Sequence, residues 1–190
     1  MKVTCLLGSP REKGNSAALA RRFCETAERL GASVHTFNLN SLHFRGCQGC
    51  MACKTKTDKC VVKDDLEQVL ETVRESDVLV LSSPVYMGDV TYSVRGFIER
   101  SYSYFVPDFF TNPNPSRLAT GKKLVFIQTQ GQPNEKLFAD IFPRLEPFFK
   151  RVGFPECHLI RACGIRKLGE VEGRPEIMKT VEETAQKTLA

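Results

Sequence analysis

The chain has 190 residues, of which 42% are hydrophobic and 26% charged; this balance is typical of a globular protein and excludes disorder or a membrane protein. One α/β core fits this length, so we expect a single domain over residues 1–190. The net charge of +5 arises from Lys and Arg interleaved with Asp and Glu, which argues against nucleic-acid binding and suits a phosphorylated ligand.

The N-terminus carries only a short apolar run before Gly8, Ser9 and Pro10 interrupt it. That run is too short for a signal peptide or a membrane span, so we expect a cytoplasmic protein without membrane contact. In a reducing cytoplasm, the eight cysteines favour metal binding or redox chemistry over structural disulfides.

Apolar patterns predict strands and helices that alternate along the chain. The predicted strands cover 2–7, 33–39, 77–82, 122–129 and 156–161. The predicted helices cover 15–30, 64–75, 92–104, 134–152 and 175–189, and Pro143 and Pro147 should kink or break the fourth. This alternation predicts a doubly wound α/β fold, with five parallel strands and helices on both faces. The aromatic, Pro- and Asn-rich stretch near 105–120 is expected to form a lid or interface loop.

The loop after the first strand runs directly into a helix, whose first turn has free backbone N–H groups. Ser9, Arg11, Asn15 and Ser16 add hydrogen-bonding side chains, a combination typical of a phosphate cradle. The loop is neither a Walker loop nor a Gly-x-Gly-x-x-Gly dinucleotide motif. The alternative is that Asn15 or Ser16 simply caps the helix.

Two further loops follow the third and fourth strands. After the third, Pro84 and Gly88 shape a turn that can offer backbone groups to a flat heteroaromatic ring, and Tyr86 can stack on that ring. The alternative is an ordinary turn with a surface tyrosine. After the fourth strand, Gln130 offers an amide side chain beside the flexible Gly131.

The segments Gly8–Arg11, Gly14–Ser16 and Ser83–Gly88 resemble the NADPH-dependent FMN reductase branch of the flavodoxin-like superfamily, in order and spacing over nearly the whole chain. The resemblance implies a flavodoxin-like fold and FMN as cofactor. It implies that the FMN phosphate is held by Ser9, Arg11, Asn15 and Ser16. It implies that the isoalloxazine ring is faced by Pro84, Val85, Tyr86, Met87, Gly88, Gln130 and Gly131.

A cysteine-rich loop at 46–62 holds four thiols within fourteen residues: Cys47, Cys50, Cys53 and Cys60. Two successive Cys-x-x-Cys steps can wrap three corners of a cuboidal iron-sulfur cluster, and Cys60 can supply the fourth. A zinc site and redox-active thiols without metal are alternatives. The motif resembles that of the iron-sulfur flavoproteins, which implies a [4Fe-4S] cluster on these four thiols. Because the loop follows the second strand, we expect it at the same sheet edge as the flavin loops.

The other cysteines are predicted to be small buried hydrophobes: Cys5, Cys24, Cys157 and Cys163. No nucleophile–histidine–acid group is present, so no catalytic side chain is predicted and the redox chemistry is assigned to the flavin. The resemblance also implies a homo-oligomer, a dimer or tetramer, with NAD(P)H or a ferredoxin-like protein as electron donor.

Three redox functions fit these features. The first is an oxidoreductase of the iron-sulfur flavoprotein type, in which FMN is coupled to the cluster. The second is an NAD(P)H-dependent FMN or quinone reductase without a cluster, and the third is a non-enzymatic electron carrier of flavodoxin type. A phosphate-binding module without flavin is the non-redox alternative.

Overall fold

A computed structural model describes all 190 residues and contains one five-stranded parallel sheet. Its strands are β1 (Lys2–Leu7), β2 (Ser33–Asn38), β3 (Val78–Pro84), β4 (Lys123–Thr129) and β5 (Glu156–Ala162). Their order is β2-β1-β3-β4-β5, which confirms the predicted doubly wound fold. In this order the connections reverse direction between β1 and β3, where ligands of such sheets bind.

Six α-helices cover the sheet: α1 (Asn15–Arg29), α2 (Ala52–Thr55), α3 (Leu66–Glu75), α4 (Tyr92–Arg100), α5 (Ile141–Val152) and α6 (Pro175–Leu189). Helices α1 and α6 pack on one face of the sheet, and α3, α4 and α5 pack on the other. Strand β3 shows how both faces are filled, because Val78 and Val80 point to the first face and Leu79 and Leu81 to the second. This explains the continuous apolar run that predicted a fully buried strand.

Several predicted elements have different bounds. Helix α5 begins at Ile141 rather than at residue 134, and Pro143 therefore falls in its first turn, where a missing N–H is tolerated. Helix α4 ends at Arg100, and a 3₁₀ turn continues to Tyr104. The one-turn helix α2 and a 3₁₀ turn at Glu170–Gly173 were not predicted, because an element of four residues is too short to show a periodic pattern.

The segment near 105–120 packs on the carboxyl-terminal end of α5. Phe105 stacks on Phe109 with ring centroids 4.8 Å apart, and the Ser116 hydroxyl donates to the Val152 carbonyl over 2.6 Å. No residue of this segment lines the polar pocket at the ends of β1, β3 and β4. Its role as a lid or as an interface stays a prediction.

All eight cysteines are free thiols. Cys5 and Cys24 are buried as predicted, whereas Cys157 and Cys163 are only partly buried. Burial raises the pKa of Cys157 to about 11, which keeps that thiol protonated at neutral pH. None of the helices combines the length and the apolar composition that crossing a bilayer requires.

Candidate functional site

A polar pocket opens where β1, β3 and β4 end, next to the point at which the strand order reverses. Its walls come from the three predicted loops and from a fourth segment after β5. The lining residues are Ser9, Arg11, Gly14, Asn15, Ser16, Pro84, Val85, Tyr86, Thr129, Gln130, Gly131, Ile165, Arg166 and Leu168. The fold therefore brings together every residue predicted to bind the cofactor except Met87 and Gly88.

The loop between β1 and α1 is closed by its own backbone. The Gly14 N–H donates to the Arg11 carbonyl over 2.8 Å, and the Arg11 N–H donates to the Ser9 hydroxyl over 3.1 Å. A Cβ atom on Gly14 would lie 2.7 Å from Ser9 Oγ and 2.9 Å from the Arg11 carbonyl oxygen, closer than real Cβ contacts allow. Glycine is thus required here for the chain to turn into the helix.

The first turn of α1 is left without a side-chain cap, because its N-cap residue is Gly14. The interpretation of Asn15 or Ser16 as a simple helix cap is therefore wrong. The Ser16 hydroxyl is buried, lines the pocket and has no hydrogen-bond partner. Buried hydroxyls almost always have a partner, so this atom together with the free N–H groups of the helix fits an anionic ligand such as a phosphate.

The Asn15 amide lines the pocket and also makes two contacts that were not predicted. Its Nδ2 donates to the Lys167 carbonyl over 2.8 Å, and its Oδ1 accepts the Val171 N–H over 3.2 Å. Both ends of the amide are thus used to hold residues 165–171, which we call the strap. The side chain anchors the strap against the phosphate loop, and the second N–H of its Nδ2 is not used by these bonds.

The strap is also held by bonds within itself and by one further bond to the pocket. The Glu170 carboxylate accepts the N–H groups of Lys167 and Arg166 over 2.9 and 2.8 Å, and it pairs with Arg174 over 2.9 Å. These contacts, the two backbone N–H groups first, lower the pKa of Glu170 to about 2. Arg166 Nε also donates to the Gly131 carbonyl over 2.9 Å, which ties the strap to the loop after β4.

Sequence reasoning missed the strap. It contains no recognised motif, and its pocket-lining residues, Ile165, Arg166 and Leu168, lie on the segment after β5. The only available signal was the pair Gly164 and Gly169, whose φ angles of 71° and 74° mark one chain turn just before the strap and one within it.

The loop after β3 ends in a tight two-residue turn. The backbones of Tyr86 and Asp89 exchange two hydrogen bonds of 2.9 and 3.1 Å, and the φ angles of Met87 and Gly88 are both positive, at 48° and 83°. This is a type I′ turn, whose central residues form its tip. Met87 is fully exposed and neither central residue lines the pocket, so their contact with the ring stays a prediction. Pro84, Val85 and Tyr86 form the wall instead.

The predicted amide contact of Gln130 is also replaced by internal bonds. Its Nε2 donates to the carbonyls of Gln132 and Leu137 over 3.0 and 3.2 Å, and its Oε1 accepts from Arg161 over 2.8 Å. The buried side chain organises the turns that precede α5. Gln130 lines the pocket although its amide is used internally. Thr129, which was not predicted to bind the cofactor, lines the pocket beside it.

The four clustered cysteines line a second, largely apolar cavity. Cys53 is buried and Cys60 half-buried, while Cys47 and Cys50 are exposed. Nowhere in the chain do three or more His, Cys, Asp or Glu side chains stand together as ligands of one metal ion. In a four-iron cluster each thiolate binds a separate iron, so four thiols around one cavity fit that larger group.

The position of the cysteines corrects one prediction. The loop leaves β2 at the flavin edge, but Phe44 packs beside Gly96 and the Cys47 N–H donates to Glu99 over 3.3 Å. The cysteine cavity thus lies at the carboxyl-terminal end of α4, whereas the flavin loops lie at its amino-terminal end. Helix α4, with nine residues and a length of about 13 Å, runs between these two ends.

Two cations, the buried Lys54 and the partly buried Arg117, hold the cysteine loop through backbone carbonyls. Lys54 Nζ donates to the carbonyls of Tyr102 and Phe105 over 2.7 and 2.8 Å. Burial lowers the pKa of Lys54. Arg117 Nη1 donates to the carbonyls of Cys53 and Ser103 over 2.8 and 2.9 Å.

A third cation, Arg100, lines the cysteine cavity itself. Burial opposes its charge, but the hydrogen bond with Asp64 and the neighbouring Cys60 outweigh burial and raise the pKa of Arg100. The cysteine cavity is thus bounded by positive charge.

A family model described as a flavodoxin-like fold matches residues 1–188. Among curated relatives, an iron-sulfur flavoprotein of Archaeoglobus fulgidus is 36% identical over 104 residues, which is 55% of this chain and 47% of the relative. An FMN-dependent NADH:quinone oxidoreductase of Stenotrophomonas maltophilia is 26% identical over 155 residues, which is 79% of this chain and 75% of the relative. The chain spans about half the length of the iron-sulfur flavoproteins it matches.

A solved structure of an FMN-dependent NADH-azoreductase from Bacillus anthracis, in complex with FMN, superposes with a TM-score of 0.74. The alignment covers 100% of both chains at 16% identity, so this likeness concerns the fold.

Proposed function

Because this chain belongs to the family with the flavodoxin-like fold, we propose that it is a flavin-dependent oxidoreductase that binds FMN in the polar pocket at the ends of β1, β3 and β4. The observation that carries the proposal is the buried, unpartnered hydroxyl of Ser16 beside the uncapped first turn of α1. A phosphate monoester supplies the acceptor that this hydroxyl lacks. FMN-dependent proteins among the relatives and structural neighbours support the choice of ligand.

The pocket divides by chemistry into two parts. Ser9, Arg11 and Ser16 would hold the phosphate, with the Arg11 guanidinium as the charged donor. Pro84, Val85, Tyr86, Thr129 and Gly131 would bind the ring. When bound, FMN supplies hydride and single-electron chemistry, and the chain itself orients the cofactor and shields it.

The proposal extends to a [4Fe-4S] cluster on Cys47, Cys50, Cys53 and Cys60, which would make the protein an oxidoreductase of the iron-sulfur flavoprotein type. Two observations support it: the four thiols share one cavity, and the relatives named iron-sulfur flavoprotein are up to 37% identical over their matched segments. The surrounding cations favour an anionic occupant.

We further propose a homo-oligomer, a dimer or tetramer, in which the cysteine cavity of one chain meets the flavin pocket of another. The length of α4 separates the two sites within one chain, and this separation supports a contact between copies. NAD(P)H or a ferredoxin-like protein would donate electrons. Eight free thiols agree with a reducing location such as the cytoplasm.

An NAD(P)H-dependent quinone reductase without a cluster is the second candidate. The match to the Stenotrophomonas maltophilia NADH:quinone oxidoreductase favours it, because that match covers 79% of the chain, against 55% for the Archaeoglobus fulgidus iron-sulfur flavoprotein. Rapid bleaching of the flavin by NADH or NADPH, in a protein without iron, would select this function.

The test is to purify the protein without oxygen and to measure extracted flavin, iron and acid-labile sulfide. Wild type should contain FMN rather than FAD and about four iron atoms per chain. Cys50→Ala should keep FMN and lose most of the iron, whereas the control Cys163→Ala, outside the cysteine cavity, should keep both. A Cys50→Ala protein with its full complement of iron would refute ligation by these thiols, and a protein that binds no FMN would refute the whole proposal.

A further inference from the structure

Arg100 connects the two ends of the cysteine loop. It is the bulkiest of the fully buried side chains, with 1% exposed. One Nη group donates to the Arg45 carbonyl over 3.0 Å, just before the cysteines, and the other donates to the Val62 carbonyl over 3.1 Å, just after them. The sixteen residues between these two contacts, 46–61, include all four clustered cysteines. The guanidinium therefore closes this loop at its base.

Asp64 completes this closure. Its Oδ2 accepts from Arg100 over 2.8 Å and also accepts the Arg45 N–H over 3.1 Å. Both side chains of the ion pair are at least nine-tenths buried, with exposures of 0% and 10%. Breaking such a pair leaves an uncompensated buried charge, so the loop base is rigid.

The third donor of the guanidinium, Nε, is buried and has no hydrogen-bond partner. Arg100 also lines the cavity that the four cysteines surround, and Cys60 is the cysteine beside its guanidinium. A buried charged donor without an acceptor is costly, and an acceptor in the cavity that Arg100 lines would remove that cost. Thiolate and sulfide sulfurs accept N–H hydrogen bonds and are the acceptors that fit a cavity of cysteines.

We propose that Arg100 is a positioning residue for the cysteine site: its two Nη groups close the loop, and its Nε–H donates to a sulfur in the cavity. The second half rests on the proposed cluster, and the first half does not. A hydrogen bond to sulfur favours the more negative, reduced state of a cluster and raises its reduction potential.

The other two cations do not perform this task. Lys54 donates to carbonyls of the segment after α4, and Arg117 joins Cys53 and Asp58 to Ser103. Neither contacts both ends of the loop, and Arg100 alone among the three has a buried nitrogen without a partner. Of the three cations, Arg100 is therefore the one that both joins the two ends of the loop and lines the cavity.

The test compares wild type with Arg100→Lys, which keeps a charge for Asp64 but lacks the fork and the Nε donor. The control is Arg151→Gln, whose side chain lies over Phe109 and Phe110, away from the cysteine cavity. Loop closure is measured by hydrogen exchange of residues 46–61 in the metal-free protein. The sulfur contact is measured in the reconstituted protein, by the rate at which a chelator removes iron and by the midpoint potential.

We expect Arg100→Lys to exchange faster across 46–61, to lose iron about 10-fold faster and to have a more negative potential, while Arg151→Gln matches wild type. If Arg100→Lys does not fold, the double variant Arg100→Gln/Asp64→Asn removes both charges together and should show the same changes. The inference would be overturned if the Arg100 variants matched wild type in hydrogen exchange, in the rate of iron loss and in reduction potential. A wild type that holds no iron would overturn the sulfur contact and the cluster, whereas faster exchange in Arg100→Lys would still establish loop closure.

Discussion

The flavin pocket and the cysteine cavity are held together by opposite kinds of contact. The pocket's phosphate loop closes through bonds between residues two and three positions apart, such as Arg11 to Ser9 and Gly14 to Arg11. The cysteine loop is held by side chains from distant segments, with Arg100 reaching back 55 residues to Arg45 and Arg117 reaching back 64 residues to Cys53. The phosphate loop is formed by its local sequence, and the cysteine loop depends on the rest of the fold.

This difference predicts how the two sites respond to damage. A change inside the phosphate loop should affect FMN binding and leave the cysteine loop intact. A change in a distant cation should loosen the cysteine loop and leave FMN binding intact. Four sets of variants test this separation, from the largest expected effect to the smallest.

Gly14→Ala should have the largest effect, because its Cβ would lie 2.9 Å from the Arg11 carbonyl and force the phosphate loop open. Overpacking of this kind costs about 3 kcal/mol, which weakens FMN binding about 100-fold. The control is Gly173→Ala, since a Cβ on Gly173 would meet no atom within 4 Å. Fluorescence titration with FMN measures both dissociation constants, and equal values for the two variants would place the phosphate elsewhere.

Arg117→Met should act on the cysteine loop. It leaves the carbonyls of Cys53, Asp58 and Ser103 without their donor, at a cost of about 2 kcal/mol in the free energy of unfolding. Hydrogen exchange near residues 53–58 should accelerate while FMN affinity stays at the wild-type value. Loss of FMN affinity in this variant would show that the two sites are coupled within one chain.

The same distinction explains which features could be predicted from the sequence. The alternation of strands and helices and the three loops follow from local patterns, since ligands of such a sheet bind at the carboxyl ends of its strands. The roles of Asn15 and Gln130 could not be predicted, because their amides bond to residues as distant as Val171 and Arg161. The closure of the cysteine loop by Arg100 could not be predicted either, since no residue adjacent to Arg100 in the sequence indicates a buried ion pair.

Ser16→Ala should weaken FMN binding without weakening the fold. The hydroxyl has no partner in the protein, so its removal relieves a buried unsatisfied group, and the ligand-free variant should be at least as stable as wild type. Loss of one hydrogen bond to phosphate costs about 1.4 kcal/mol, or about 10-fold in affinity. Ser101→Ala is the matched control, because its buried hydroxyl already donates to the Ile98 carbonyl over 2.7 Å. That control should lose stability and keep its FMN affinity; the reverse pattern would contradict the assignment of Ser16.

The smallest effect concerns two methionines in the left-handed conformation, one beside each site. Met87 has φ 48° at the tip of the turn after β3, and Met51 has φ 56° in the cysteine loop. This conformation costs a non-glycine residue about 1 kcal/mol, and asparagine tolerates it better, so each Met→Asn change should relieve backbone strain. Met87 is fully exposed, and an asparagine directly before Gly88 would give the Asn-Gly sequence that type I′ turns prefer.

Met87→Asn should therefore stabilise the protein by about 0.5 kcal/mol and leave FMN affinity unchanged, as thermal and FMN titrations can measure. Met51→Asn should gain less, because Met51 lines the cysteine cavity and the change gives up apolar contact there. A loss of FMN affinity in Met87→Asn would indicate that the Met87 side chain contacts the flavin ring. Equal gains from the two variants would show that Met51 contributes nothing to the cysteine cavity, whose order would then come from the cations alone.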